Sequence, residues 1–275
     1  MGFLVPAAPW SARIAGVASK AVILLADDGA AISIVGRIED LDARAFVIAA
    51  GFQEFQAAAS AALAEHGEQA SVRYDDSNLS FDGTKKNVAS ASATLVWDPR
   101  GDLKKAAERL DGSMLVAVRM YIEDELRSAH ESGRSHEGIH GDGPFAAAFA
   151  RLQAASTFPA NLVGFGPGST PAGDDWLSGY LTGRDLMEGG PGTAEPVLRS
   201  AVEAALCRTT ASGRALLIGA LAGAPPLYLV ELALATTGID RKANVRAAVR
   251  VALEHGATSG EDAIAGFIQA LRSSP

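Results

Sequence analysis

The spacing of apolar and polar residues changes its period once along this chain. Up to about residue 100 the apolar runs are short and cut by polar turn clusters. Ala21-Val22-Ile23-Leu24-Leu25 and Ala31-Ile32-Ser33-Ile34-Val35 flank Asp27-Asp28-Gly29, the pattern of a β-hairpin. Residues 71–74, 79–81 and 88–97 read as further strands, broken at Asp75-Asp76-Ser77-Asn78 and Asp82-Gly83, and 41–50 fits strand or helix. Within this half Phe52, Phe55, Ala59, Ala62 and Leu63 recur at helical spacing, which predicts one amphipathic helix over 52–66 ended by Gly67.

After the turn cluster Asp98-Pro99-Arg100-Gly101-Asp102 the period is helical. Helices are predicted at 103–110, 114–129, 144–156, 174–188, 195–208, 211–222, 226–236, 240–255 and 260–272, joined by short Gly or Pro connections. The expected fold is therefore α+β, with a β-rich N-terminal domain over 1–100 followed by an all-helical C-terminal bundle over 101–275. The greasiest run, 215–235, carries Glu231 and is cut by Pro225-Pro226, so it reads as two buried helices too short to span a bilayer.

The composition suits closely packed small-residue helices: 48% hydrophobic residues, only 6% aromatic, and 29 glycines. A formal net charge of -8 with no basic stripe argues against nucleic acid as a partner. The single cysteine, Cys207, lies in a helical pattern and reads as core filler. Arg13 is the first cation and no apolar run follows a basic start, so no signal peptide is read and a cytoplasmic location is expected.

One stretch stands out, residues 162–181. Gly164, Gly166 and Gly168 alternate with Phe165 and Pro167, so the backbone there can take positive φ and pass close to a ligand. Ser169 follows, and Thr170-Pro171 signals a helix start, with the threonine hydroxyl placed to cap it. Free N–H groups at such a junction suit an anion such as phosphate.

Part of this device occurs twice. Gly173-Asp174-Asp175-Trp176-Leu177-Ser178-Gly179-Tyr180-Leu181 aligns without gaps with Gly260-Glu261-Asp262-Ala263-Ile264-Ala265-Gly266-Phe267-Ile268. In each copy the second acid and the later glycine, Asp175 with Gly179 and Asp262 with Gly266, share one helix face. Bare faces let helix backbones approach closely. The two helices are expected to cross near Gly179 and Gly266, placing Asp175 and Asp262 one turn away in a shared site. Two carboxylates beside an anion cradle suit a ligand with an anionic end and an N–H end, or an anion with a Mg²⁺ ion.

Other polar features read as ordinary surface. His130, His136 and His140 fall in a glycine-rich stretch over 130–143 that reads as a linker rather than a metal site. Glu195, Arg199, Glu203, Arg241, Lys242, Arg246 and Arg250 read as solvated helix faces.

The glycine to Asp-Asp segment at 164–179, with Ala257-Thr258-Ser259-Gly260-Glu261-Asp262, resembles the AllH subunit family of oxamate carbamoyltransferase. The resemblance also takes in Trp97-Asp98-Pro99 and the Thr210-Ala211-Ser212 helix start. It implies a subunit that acts with two larger carbamoyltransferase chains in allantoin and purine-nitrogen breakdown, on small anions such as carbamoyl phosphate or oxamate. By position, Gly164, Gly166, Gly168, Thr170, Gly173, Asp174 and Asp175 match the first family motif, and Ser259, Gly260 and Asp262 the second. The chain departs at Ser169, where an aliphatic residue is expected, and at Ala257, where a histidine is.

On this reading Asp174, Asp175 and Asp262 are the catalytic candidates. Gly164, Gly166, Gly168, Ser169, Thr170, Gly173, Ser259, Gly260 and Glu261 are the substrate-binding ones, with no cofactor and no protein-bound metal assigned beyond the Mg²⁺ option. Two other readings stand beside it: a noncatalytic assembly module whose motifs bind a partner chain, and a metal-dependent hydrolase using the acids as ligands.

Overall fold

The structure is a computed structural model and describes residues 1–6, 9–27, 29, 31–48, 50–75, 78–81, 87–90, 95–133 and 144–272. It divides into two compact units, Met1–Asp98 and Pro99–Pro275.

The first unit holds strands β1 (Trp10–Val17), β2 (Ala21–Ala26), β3 (Ala31–Val35), β4 (Ala45–Val47), β5 (Ser71–Tyr74), β6 (Asn78–Phe81) and β7 (Asn87–Ser90), with helix α1 (Phe52–His66) between β4 and β5. These strands form one sheet in the order β4-β3-β2-β1-β5-β6-β7, antiparallel except for the β3–β4 pair. The hairpin read around Asp27-Asp28-Gly29 is the β2–β3 pair, with Val22 opposite Ile34 and Leu24 opposite Ile32. The ambiguous 41–50 stretch yields a short strand, because Ala45, Phe46 and Val47 pair in parallel with Ser33, Ile34 and Val35. Phe55 and Ala59 of α1 enter a core of Ile14, Leu24, Ile32 and Phe46. Burying a side chain the size of Phe55 contributes roughly 2–3 kcal/mol.

Two details differ from the sequence reading. β1 was not expected, although its buried positions Trp10, Ala12 and Ile14 alternate with Ser11 and Arg13. Trp97, expected within a strand over 88–97, makes only an isolated bridge to Gly2. The turn residues Asp76, Ser77, Asp82 and Gly83 lie outside the described residues.

The second unit is helical from Arg100 onward: α2 (Arg100–Arg109), α3 (Gly112–Glu131), α4 (Pro144–Gln153), α5 (Ala172–Met187), α6 (Pro196–Ala205), α7 (Ala211–Leu221), α8 (Leu227–Ala235), α9 (Arg241–Leu253) and α10 (Ser259–Arg272). Local chemistry sets several starts. The Asp111 carboxylate accepts the Ser113 N–H at 3.0 Å, the Thr210 hydroxyl accepts the Gly213 N–H at 2.9 Å, and Pro196 opens α6. Pro226 ends the link between α7 and α8, the pair read from the 215–235 run. No described helix is long and apolar enough to cross a membrane.

Helix α5 is the centre of this unit, with every residue from Ala172 to Gly183 buried. A helix buried all round belongs in a core, yet this one carries three buried acids, Asp174, Asp175 and Asp185. Asp185 is matched by Arg199, whose Nη2 lies 2.5 Å from its Oδ1. Arg199 is only 8% exposed, which corrects its reading as a solvated cation. Cys207 is likewise corrected: it is exposed, just beyond α6, rather than in the core.

Candidate functional site

Helices α5 and α10 meet at their glycines. A Cβ built on Gly179 would lie 1.8 Å from the Ala263 carbonyl oxygen, and one on Gly266 would lie 1.9 Å from the Trp176 oxygen. Since Trp176 aligns with Ala263 and Gly179 with Gly266, the contact is reciprocal, each copy's glycine resting on the same carbonyl of the other copy. One turn further, a Cβ on Gly183 would meet Ala270 Cβ at 2.6 Å. Backbones this close require hydrogen in place of a side chain, so the crossing is written in the motif itself.

The crossing brings Asp175 and Asp262 together one turn away. Asp175 is 2% exposed and Asp262 1%. The hydroxyls of Ser259 and Thr170 both hydrogen-bond Asp175, and they lie 3.2 Å from each other. Burial first, then the neighbouring charges of Asp262 and Asp174, push the Asp175 carboxyl well above the usual carboxylate range, and the two hydroxyls pull it part of the way back. Asp175 Oδ2 has no hydrogen-bond partner. Thr170 was expected to cap α5. Instead the helix starts at Ala172 with no side-chain cap, and the threonine hydroxyl is spent on the acid and on Ser259.

Asp174 looks the other way. Its Oδ1 accepts the Gly164 N–H at 2.8 Å and its Oδ2 accepts the Thr209 hydroxyl, so it ties the glycine loop and the approach to α7 to the start of α5. Burial raises its pKa and these two hydrogen bonds oppose the rise. Gly164 takes φ 75°, and a Cβ there would strike the Arg208 carbonyl oxygen at 2.4 Å. Gly166 and Gly168 also sit at positive φ, 117° and 100°.

Several assigned binding residues are used by the protein itself. The Gly173 N–H donates to the Phe165 carbonyl, and its side-chain position is filled by the Leu162 oxygen 2.1 Å away. Gly260 stands against the Ala252 oxygen in the same way, at 1.7 Å. With the Gly164 and Gly173 amides engaged, the anion cradle expected over 164–173 narrows to Gly166, Gly168, Ser169 and Thr170. Among the described residues, those four N–H groups make no hydrogen bond within the protein. The loop crest at Pro167, Gly168 and Ser169 is exposed, and the Ser169 carbonyl accepts the Thr210 hydroxyl at 2.5 Å.

Glu261 does not join the acid pair. It is 6% exposed and reaches α3, where its Oε1 lies 2.9 Å from His130 Nε2. His130 was read as part of a linker. It is the penultimate residue of α3, and its spacing of seven, four and three residues from Glu123, Leu126 and Arg127 on that helix was the available signal, hidden by the glycines that follow. The pair lines a cavity of about 290 Å³ between α3 and α10, together with Leu126, Ala265, Ile268 and Arg272, and neither Asp175 nor Asp262 lines it. His136 and His140 lie outside the described residues. Among the described residues no group of three or more His, Cys, Asp or Glu side chains is placed to hold a metal ion.

Chemically, the arrangement is a buried carboxylate pair in which Asp175 accepts from two hydroxyls, and one of these, Thr170, ends a loop with four unengaged N–H groups. It defines a helical protein with an internal acid site built by two copies of one helix motif. Residues 162–271 match the family described as oxamate carbamoyltransferase subunit AllH. The matched stretch lies within the helical unit and contains both motifs. Comparison with curated proteins and with solved structures found no match.

Proposed function

We propose that the chain is a subunit of a carbamoyltransferase that moves a carbamoyl group between oxalurate and phosphate, giving oxamate and carbamoyl phosphate, in the breakdown of purine nitrogen through allantoin. The observation that carries this reading is the Asp175–Asp262 pair with Thr170 and Ser259, formed inside the stretch that matches the AllH family. The carbamoyl carbon exchanges its bond to the oxamate nitrogen for one to a phosphate oxygen, and the nitrogen takes up a proton. The N–H groups of Gly166, Gly168, Ser169 and Thr170 hold the anionic end of the substrate, and Asp175 and Asp262 hold the carbamoyl or oxamate amide.

In this reading Asp174 is a positioning residue, since both its oxygens serve the fold. Gly173 and Gly260 act through close packing, and Glu261 acts through His130. Two larger subunits supply the rest of the active site, and no cofactor is assigned beyond the Mg²⁺ option. Asp262→Asn in the assembled complex is expected to keep the fold and cut turnover at least tenfold. Wild-type turnover in that variant would remove the proposal. Calorimetric titration of the complex with carbamoyl phosphate, oxamate and Mg²⁺ checks the ligand directly and separates it from a metal-dependent hydrolase.

The exposed loop crest at Pro167–Ser169 favours one other reading, a noncatalytic module whose loop docks on a partner chain. It predicts no small-molecule binding and loss of co-purification when the loop is changed.

A further inference from the structure

The glycine loop before α5 lies against the start of another helix, α7. Two contacts fasten them: the Thr210 hydroxyl donates to the Ser169 carbonyl at 2.5 Å, and a Cβ on Gly213 would stand 2.1 Å from Asp174 Oδ2 and 3.2 Å from Pro171 Cδ. Arg214 comes next on α7, four residues after Thr210 and so on the same helix face, about 5–6 Å away from Cβ to Cβ. Side chains on an α-helix lean toward its N-terminus, so Arg214 leans over the turn that holds Ser169. It is half-buried, and among the described residues it makes no ion pair, while its Nε is shielded from solvent without a hydrogen-bond partner. The other half-buried described arginines of the helical unit are committed: Arg119 to Glu123, Arg184 to Glu188 and Glu195, Arg241 to the Thr236 carbonyl, and Arg246 to Glu125. A sequestered guanidinium donor with no acceptor of its own is costly unless a ligand supplies one. The loop adds four more donors, the N–H groups of Gly166, Gly168, Ser169 and Thr170. At the same helix start Asp175, only 2% exposed, keeps Oδ2 without a partner. Donors without acceptors on one side and a buried acceptor without a donor on the other fit a ligand with an oxyanion at one end and N–H groups at the other.

We propose that Arg214 is an oxyanion-binding residue of this site: its guanidinium, together with the loop amides, takes the phosphate of carbamoyl phosphate or the carboxylate of oxamate. This deepens, and rests on, the carbamoyltransferase reading. Amide dipoles carry no net charge, and the acids at the site can only add negative charge. A guanidinium supplies the positive charge that an anion needs there, and its planar fork matches two oxygens of a phosphate or carboxylate at once.

The test titrates the assembled complex with carbamoyl phosphate and, separately, with oxamate. Arg214→Gln is expected to lose at least tenfold in affinity for one or both, and Arg214→Lys, which keeps the charge but not the fork, about threefold. A loss confined to carbamoyl phosphate assigns the guanidinium to the phosphate, and one confined to oxamate assigns it to the carboxylate. Arg208→Gln removes an exposed cation just before α7, one bonded only to the Asn161 carbonyl, and is expected to change neither affinity more than twofold. Raising the ionic strength is expected to weaken binding by the wild type more than by Arg214→Gln, because a deleted charge leaves nothing to screen. A merely structural arginine would not move that difference. Unchanged affinity for both probes in Arg214→Gln, an equal loss in Arg208→Gln, or equal salt dependence would overturn the assignment. Thermal unfolding checks that each variant is folded. Should Arg214→Gln unfold, Arg214→Lys decides, and unchanged affinity for both probes in that variant overturns it. Failure of the carbamoyltransferase reading shows separately, as no binding of either probe by the wild-type complex, and that outcome removes the role of Arg214 as well.

Discussion

The starts of α5 and α10 are two versions of one construction, alike where they face each other and unlike where they face away. Gly179 and Gly266 occupy equivalent positions and touch equivalent carbonyls, and Gly173 and Gly260 each press on a preceding carbonyl, of Leu162 and Ala252. The first acids diverge: Asp174 turns back to its own loop, while Glu261 reaches across to His130 on α3. The approaches diverge as well. A glycine loop with positive φ at Gly164, Gly166 and Gly168 leads into α5, whereas α10 follows α9 after a short turn with one such glycine, Gly256. The crossing is under steric constraint from both sides, so its residues repeat. The outer positions are constrained only by whatever each copy meets, which leaves room for one copy to carry the glycine loop.

The reciprocal contact makes the strongest prediction. Alanine normally stabilises a helix by about 1 kcal/mol relative to glycine. At Gly179 and Gly266 the new Cβ would sit 1.8 and 1.9 Å from a backbone oxygen, which no side-chain rotation relieves. Gly179→Ala and Gly266→Ala are each expected to destabilise the helical unit by about 3 kcal/mol or more, and by similar amounts. Urea unfolding of the full chain measures both. A loss at one position and a gain at the other would break the equivalence of the two copies.

The first acids should separate the copies instead. Asp174→Ala strands the Gly164 N–H and the Thr209 hydroxyl at a buried site and is expected to cost about 2–3 kcal/mol. Glu261→Ala removes one partner from the partly exposed His130 and is expected to cost about 1 kcal/mol. Thermal unfolding of the two variants side by side decides the order. Equal losses would mean that Glu261 braces its copy as firmly as Asp174 braces the loop.

Much of this was legible in the sequence because the deciding signals are local. Helical period, Pro and Gly punctuation and the Thr210 cap place the elements of the second unit to within a few residues. The repeated Gly-acid-Asp pattern anticipates the crossing, since a glycine four residues after an acid has few other uses on a buried helix. What escaped depends on partners distant in sequence. The Asp185–Arg199 and His130–Glu261 pairs span 14 and 131 residues, and no spacing rule marks either. Strand β1 escaped because one of its three buried positions is alanine, which weakens a period-2 signal. The Thr170 hydroxyl was assigned to a cap because the helix start is visible from sequence while Ser259, which approaches from another helix, is not.

The smallest expected effect probes the feature that one copy has and the other lacks, the loop before α5. Gly168 and Gly189 stand beyond opposite ends of that helix with nearly the same φ, 100° and 98°. A Cβ at Gly168 would come no closer than 3.7 Å to the Thr170 oxygen, and at Gly189 it would meet nothing within 4 Å. Alanine at either site therefore tests left-handed strain alone, expected to cost about 1 kcal/mol in both. Their effects on ligand should differ. On the proposed function the Gly168 N–H helps hold the anion, so Gly168→Ala is expected to weaken carbamoyl phosphate binding by the complex about threefold to tenfold, while Gly189→Ala leaves it unchanged. Calorimetry on the two variants reads the difference. Equal affinities would show that the loop amides do not hold the anion, and would leave the glycine loop as a packing device for Arg208 and α5 alone.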